Sequence, residues 1–268
     1  MFPKLIHYCW FGRNPLPDSA KKCIDSWRKF FPDYEIKEWN EDNFNVYEIP
    51  YTSEAYALKK YAFVSDYARF KILYEYGGIY FDTDVEVIKS FDDIIERGPF
   101  MGAEINGSFT KNSFPQINPG LGLASYSKNK IYHELIEIYK NLHFISMDGS
   151  INYKTIVKYT TELLVKNGLA PNNDIQNIEG ISIYPSDFFN PFDDTTGRLK
   201  ISCNTHSIHW YSKTWINESK FRRDLARVSH RILGSKLIPR IKKFIADLKN
   251  HKCNYSAIQK SKPNSEID

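Results

Sequence analysis

Two aspartates one residue apart, Asp82 and Asp84, follow a short apolar run at residues 79–81, and a second polar pair, Asp66 and Arg69, lies on the helical stretch just before it. Carboxylates two positions apart project to one face if the strand continues through them and converge if the chain turns there. Hard oxygen donors of this kind suit Mg²⁺ or Mn²⁺, ions that take a few carboxylates and leave positions for phosphate oxygens. A solvated loop also supplies Asp-x-Asp readily in a chain with seventeen aspartates. The place of this pair, at the end of a buried strand where α/β sheets set their ligand crevice, favours the ligand reading. An EF-hand would need glycine where Val87 stands, and neither a P-loop nor a GxGxxG after the first strand is present. Phosphate would therefore be held by a metal and side chains.

The other chemistry-bearing residues each carry a plainer reading. Asp66 and Arg69, at i and i+3, could pair with each other on an exposed helix face for about 0.3 kcal/mol. Trp10, His209 and Trp215, taken singly, read as core or surface residues, and the His206, His209 pair lacks the cysteines of a zinc site.

The elements that must position these groups follow from periodicity. Residues 4–11 form a β-branched and aromatic run closed by Gly12 and Asn14-Pro15, and a helix over 18–30 with Asp18 as its N-cap repeats apolar positions at three-to-four spacing. An alternating strand over 34–39 completes a βαβ unit with a parallel sheet. A short helix at 53–58 leads to the focal helix, where Ala68, Ile72 and Tyr76 recur at i, i+4 and i+8, and Gly77 stands where a left-handed cap is needed. Strands are expected at 79–81, 85–88, 100–105 and 117–125, and helices at 130–142 and 153–166. Residues 171–215 read as irregular, with strands at 181–184 and 205–210.

With 268 residues and 42% hydrophobic content the chain is long and apolar enough for one elaborated domain. The N-terminal run lacks an uninterrupted signal-peptide core, no window has the length of a spanning helix, and four cysteines without CxxC spacing read as free cytosolic thiols. Charge is uneven: residues 220–252 carry eleven Lys and Arg against Asp224 and Asp247, so the net +4 of the chain belongs to that stretch and residues 1–219 are acidic. Apolar residues line one face of two expected helices there. The division is then a catalytic domain over 1–217, a basic amphipathic helical extension over 218–252 and a disordered tail over 253–268. The extension suits an anionic membrane surface or a helical hairpin packed on the body, and the acidic body argues against nucleic acid.

Taken together, IHYCWFG, SWRKFFPDYEIKEWNEDNF, YAFVSDYARFKILYEYGGIYFDTDVEV and SIHWYSKTW resemble the DXD-motif glycosyltransferases of fungal initiating mannosyltransferases and bacterial capsule enzymes. The core pattern, SDxxR followed by GGxYxDxD, is similar to that of the large glucosylating toxins. The resemblance implies an α/β GT-A type fold, a Rossmann-like mixed sheet flanked by helices. It also implies a nucleotide-sugar donor, a UDP-sugar before GDP-mannose, with Mn²⁺ or Mg²⁺ and retention at the anomeric carbon. Residue by residue, Trp10 would border the base and Tyr80 the nucleoside, Asp66 and Arg69 would hold the donor sugar, Asp82 would reach the ribose or a metal-bound water, and Asp84 would ligate the metal. His209 and Trp215 would close over the diphosphate, with His209 the third metal ligand and Thr214 standing where the family has serine. Asn118 and Gly120 are further candidates for the sugar or acceptor pocket.

The expected activity is metal-dependent transfer of a hexose to a glycan or lipid-linked acceptor in bacterial capsule or other surface-polysaccharide synthesis. The enzyme would work in the cytoplasm, peripheral on the inner face of the membrane. A metal-dependent phosphohydrolase or nucleotidyltransferase, and a non-catalytic nucleotide-sugar-binding module, are the alternatives.

Overall fold

The computed structural model describes residues 2–212. The basic extension, the tail and Trp215 lie outside the described residues. Of the described residues, one compact unit holds 2–192 and 199–212, and 193–198 fall in a second. Of the second, the described part is a turn in which Asp193 Oδ1 accepts from the N–H groups of Thr195 and Thr196.

In chain order the elements are β1 (Leu5–Cys9), α1 (Asp18–Phe30), β2 (Glu35–Trp39), α2 (Pro50–Ala57), α3 (Tyr61–Tyr76), β3 (Gly78–Tyr80), β4 (Val85–Val87), α4 (Asp92–Ile95), β5 (Phe100–Ile105), β6 (Gln116–Ile117), β7 (Leu123–Ser125), α5 (Lys130–Lys140), α6 (Ile156–Lys166), β8 (Gln176–Ile178), β9 (Ile181–Tyr184), α7 (Ser186–Phe189), β10 (Phe192–Asp193), β11 (Arg198–Leu199) and β12 (Ser207–His209). The main sheet runs β2-β1-β3-β7-β5-β9-β8, with β6 paired to β5. β1 pairs parallel with β2 and β3, and β5 parallel with β9, while β7 and β8 run against their neighbours. The sheet is therefore mixed, and β1, β3, β5 and β9 all end at one edge. β4 and β12 form a separate antiparallel pair.

Helices cover both faces, as a buried mixed sheet requires. Side chains on successive strand residues divide between the two cores: Ile79 and Phe81 pack with Trp27 and Phe91, while Tyr80, between them, packs with the α3 residues Val64 and Ala68. All three residues of β3 are buried. At its start Gly78 has φ +96°, and a Cβ there would lie 2.6 Å from the Leu5 carbonyl oxygen, so only glycine lets β3 approach β1 so closely. His7 closes the same junction. Its Nδ1 accepts from the Trp39 indole at 3.1 Å, which leaves Nε2 to donate to the Gly77 carbonyl at 3.0 Å.

Several boundaries differ from expectation. The N-cap of α1 is Pro17, not Asp18, and Asp18 is the first helical residue. Gly77 donates to the Leu73 carbonyl, but with φ 68° and ψ −164° it turns straight into extended backbone and is not a left-handed helical cap. The single strand expected over 117–125 is two strands, because Pro119–Leu121 is a one-turn 3-10 helix whose N-cap, Asn118, accepts from the Gly120 N–H. The irregular stretch after 171 contains the additional strands β8, β10 and β11 and the short α7.

Candidate functional site

α3 runs against β3, so its middle turns meet the end of the strand. On those turns Arg69 is 3% exposed and is enclosed by acceptors. Its Nε donates to the Ser65 carbonyl at 3.1 Å, Nη2 stands 3.2 Å from both Asp66 Oδ1 and Asp82 Oδ1, and Nη1 donates to Asp82 Oδ2 at 3.4 Å. The guanidinium lies over the Tyr80 ring, 4.9 Å from its centroid, and the Tyr80 hydroxyl donates to Asp82 Oδ1 at 3.1 Å. The Asp66, Arg69 pair is thus buried and bridges to Asp82; it is not the exposed helix pair that the spacing also allowed. Burial pushes the Asp66 carboxyl up to about 7 against the pull of Arg69. For Arg69 the effect of burial is outweighed by Asp82, Tyr80 and Asp66, which raise it and keep it charged.

The chain turns directly after β3. Val85 N–H donates to the Asp82 carbonyl at 3.0 Å, so the two aspartates converge across a turn and do not alternate along a strand. β4 is gripped from below by α1, through the Trp27 indole on the Val85 carbonyl and Ser26 Oγ accepting from Val87 N–H. From the other side β12 pairs His209 with Val85. The segment beyond it closes on Asp84: Trp210 N–H donates to the Asp84 carbonyl at 3.0 Å, Ser212 N–H to Asp84 Oδ2 at 2.7 Å, and His209 Nε2 stands 3.1 Å from Asp84 Oδ1. Enclosure raises both aspartates, but for Asp84 the facing His209 and the Ser212 N–H prevail and hold it below the usual carboxylate range. Asp82 stays raised, with Arg69 opposing the enclosure. His209 is lowered by burial and raised more by Asp84.

Asp82, Asp84 and His209 each offer a ligand atom within 4.8 Å of the others. His209 Nδ1 is buried and has no hydrogen-bond partner, so this ring is not fully satisfied by protein. Two carboxylates and an imidazole with positions left over for phosphate are a donor set that fits a divalent cation. His206, by contrast, points away and is held by Asp93 and the Asn204 carbonyl.

The 3-10 turn brings Asn118 and Gly120 to the same place. A Cβ on Gly120 would lie 2.3 Å from Asp82 Oδ2, so the turn backbone rests directly on that carboxylate. Asn118, 8% exposed, accepts from Gly120 N–H at 2.7 Å through Oδ1 and donates through Nδ2 to Glu104 Oε2 at 2.9 Å. Trp10 follows β1 at the same sheet edge, half-buried, its indole donating to the Asn14 carbonyl. Of the sequence candidates, Asp66, Arg69, Tyr80, Asp82, Asp84, Asn118, Gly120 and His209 form one connected cluster, while the contacts of Trp10 run to Asn14 and Trp39 and not to that cluster.

Residues 17–101 match the family described as a glycosyltransferase sugar-binding region containing a DXD motif, and that span ends just beyond the Asp82, Asp84 turn. Over that span the chain is similar to the DXD-motif glycosyltransferases. It is 28% identical over 200 residues to a glycosyltransferase of Acanthamoeba polyphaga mimivirus, covering 71% of this chain and 76% of that one. It is 33% identical over 175 residues to inositol phosphoceramide mannosyltransferase 3 of Schizosaccharomyces pombe, covering 61% of this chain and 43% of that one. The chain therefore spans less than half of this fungal relative. Solved structures that align with it include the PaToxG glycosyltransferase, with a TM-score of 0.44, 20% identity and coverage of 62% and 69%. The galactosyltransferase LgtC aligns with a TM-score of 0.41, 16% identity and coverage of 85% and 93%.

Glu104, Tyr211 and Ser212 are site neighbours that sequence reasoning did not single out. Ser212 acts through its backbone, which no residue type announces. Glu104 is the one acidic residue in an otherwise apolar strand, FMGAEI, and that isolated charge was the available signal.

Proposed function

We propose that this protein transfers a hexose from a nucleotide-sugar donor to a glycan acceptor, with divalent-metal dependence and retention at the anomeric carbon. The observation that carries the reading is the sharing of Asp82 between two clusters: the Asp84, His209 donor set on one side and the buried Asp66, Arg69 pair on the other. A donor held there has its diphosphate beside the first cluster and its sugar beside the second.

Asp84, Asp82 and His209 would hold Mn²⁺ or Mg²⁺, which when bound neutralises charge on the departing nucleoside diphosphate. Asp66 accepts from sugar hydroxyls and Arg69 orients both carboxylates, so the anomeric carbon is fixed for attack by an acceptor hydroxyl. Trp10 borders the base, Tyr80 the nucleoside, and Asn118 with Gly120 walls the sugar pocket. The acceptor hydroxyl attacks from the face that the diphosphate leaves, through an oxocarbenium-like state.

The donor is read as a UDP-sugar and the acceptor as lipid-linked, in bacterial surface-polysaccharide assembly. The family resemblance supports the donor class, and the basic 218–252 stretch supports a peripheral position on an anionic membrane. Among the described residues no helix is long and apolar enough to cross a membrane. A panel of UDP- and GDP-hexoses assayed for hydrolysis with and without Mn²⁺ tests the reading. Metal-stimulated release of nucleoside diphosphate from one donor is expected; release of inorganic phosphate or pyrophosphate exchange without sugar transfer would replace it with a phosphohydrolase or nucleotidyltransferase.

A further inference from the structure

Glu104 occupies a place that the proposed chemistry leaves unused. It is the fifth residue of β5, at the sheet edge shared with Asp82, and is only partly exposed. Its carboxylate Oε2 accepts from Asn118 Nδ2 at 2.9 Å, and Asn118 Oδ1 in turn accepts from Gly120 N–H at 2.7 Å. An amide can turn over about its last bond and exchange its oxygen and nitrogen; here each end faces a group that accepts only one orientation. The Gly120 N–H demands the oxygen and the Glu104 carboxylate demands the nitrogen. The Gly120 end then abuts Asp82 Oδ2, so the orientation of the amide is carried to the carboxylate shared by both clusters.

The backbone of the same residue ties the other side. The Glu104 carbonyl accepts from Asn190 Nδ2 at 3.1 Å, and Asn190 Oδ1 accepts from the Tyr211 hydroxyl at 3.1 Å. Tyr211 stands between Trp210 and Ser212, whose N–H groups hold Asp84, and its ring meets His209 edge-on at 4.2 Å. One residue thus touches the supports of both halves of the site, but only its side chain can be varied without altering the fold's main-chain bonds.

We propose that Glu104 is a positioning residue of the transfer reaction. By accepting from Asn118 it locks that amide, so that Asn118 keeps its remaining N–H for a donor-sugar hydroxyl and holds the Pro119–Leu121 turn against Asp82. The inference rests on the glycosyl-transfer reading for its consequence, and on the hydrogen bonds alone for its geometry. It requires an acceptor at position 104, which an amide oxygen supplies to Asn118 Nδ2 in the same direction as a carboxylate, though less strongly.

The test uses the full chain, with Glu104→Gln, Glu104→Leu, Asn118→Ala and the Glu104→Leu, Asn118→Ala double variant, each checked for an unchanged far-ultraviolet spectrum. Kinetics are read as hydrolysis of whichever hexose nucleotide of the UDP and GDP panel the wild type turns over. E104L is expected to lower kcat by about 10- to 100-fold with little change in donor KM, as loss of a supporting hydrogen bond does, and E104Q to stay within about threefold of wild type. In the N118A background E104L should add almost nothing, because a residue acting through another has no further effect once that other is gone. Additive losses, or equal losses in E104Q and E104L, would overturn the proposal. A second readout is independent of turnover. The Asn118 side-chain amide resonances should keep their position and slow exchange in E104Q and lose both in E104L. An amide unmoved in E104L would overturn the inference whatever the kinetics, whereas a wild type that hydrolyses no donor would count against the glycosyl-transfer reading instead.

Discussion

Arg69 and Asp82, thirteen positions apart, face each other through two guanidinium nitrogens, with Nη2 3.2 Å from one carboxylate oxygen and Nη1 3.4 Å from the other. The same Nη2 reaches Asp66, so one cation serves two carboxylates with almost no water between them. Removing it leaves uncompensated buried charge, which is costlier than the pair itself is stabilising. Arg69→Met should therefore lower stability by about 3–5 kcal/mol in urea unfolding, and Arg69→Lys by less, with activity lost in both because a single ammonium cannot span two acceptors.

Asp84→Asn should spare the fold and remove metal-dependent activity. An asparagine oxygen can still accept from the Ser212 N–H, but the anionic donor is gone. Mn²⁺ binding measured by calorimetry is expected to fall below detection, and hydrolysis by a factor on the order of 100 or more. Full activity in this variant would remove the proposed role of the Asp82, Asp84 turn.

Gly120→Ala examines the contact between the 3-10 turn and Asp82. The added methyl would sit 2.3 Å from a carboxylate oxygen that Arg69 and Tyr80 also constrain, so either the turn or the carboxylate shifts. A displacement near 1 Å at such a group costs about 100-fold in rate, whereas overpacking costs about 1–3 kcal/mol of stability. Activity should thus suffer at temperatures where the variant remains fully folded.

His7 makes stability depend on pH. Burial is the main cause of its lowering from 6.5 to about 4, opposed by its bond to the Gly77 carbonyl. Between those values the unfolded chain binds a proton that the folded chain refuses, so stability rises with pH across that window. Acidification from above 6.5 to 4 should cost about 3 kcal/mol from this group. His7→Gln can still donate toward Gly77 and accept from Trp39, and is expected to flatten that part of the pH-stability curve; an identical slope in the variant would show that other groups govern it.

How far the fold could be read before the structure depended on what each element needed to be recognised. α1 and α5 have strong apolar periodicity and β2 alternates, and their extents agree with expectation to within a few residues, whereas the Asp66, Arg69 helix is buried on most of its sides and is marked more by its Gly77 stop than by a single apolar face. The 117–125 stretch misled because its small apolar residues read as a strand, while Pro119 and the Asn118 cap impose a turn. Asp82 and Asp84 were recognisable as a pair, but nothing in Phe-Asp-Thr-Asp marks a turn, so the convergence of their carboxylates was open until Val85 was seen bonded to Asp82. Ser212 leaves no mark in the sequence because it acts through its backbone, and Glu104 shows there only as an isolated charge in an apolar strand, since its partners come from a distant turn and loop. Long-range contact, not residue type, was the missing information.

The strand pairing that brings His209 to Val85 also bears on when this site can exist. Ser212 and Asp84 are 128 positions apart, with most of the sheet and two long helices encoded between them. During synthesis, at about 5–20 residues per second, the Asp82, Asp84 turn emerges roughly 6–26 seconds before the segment that completes it. Until then the acidic turn lacks its imidazole and its two backbone donors. A nascent or truncated chain ending before β12 would consequently carry the recognisable acidic pair without its third donor, so a divalent metal bound at the proposed site would report completed folding.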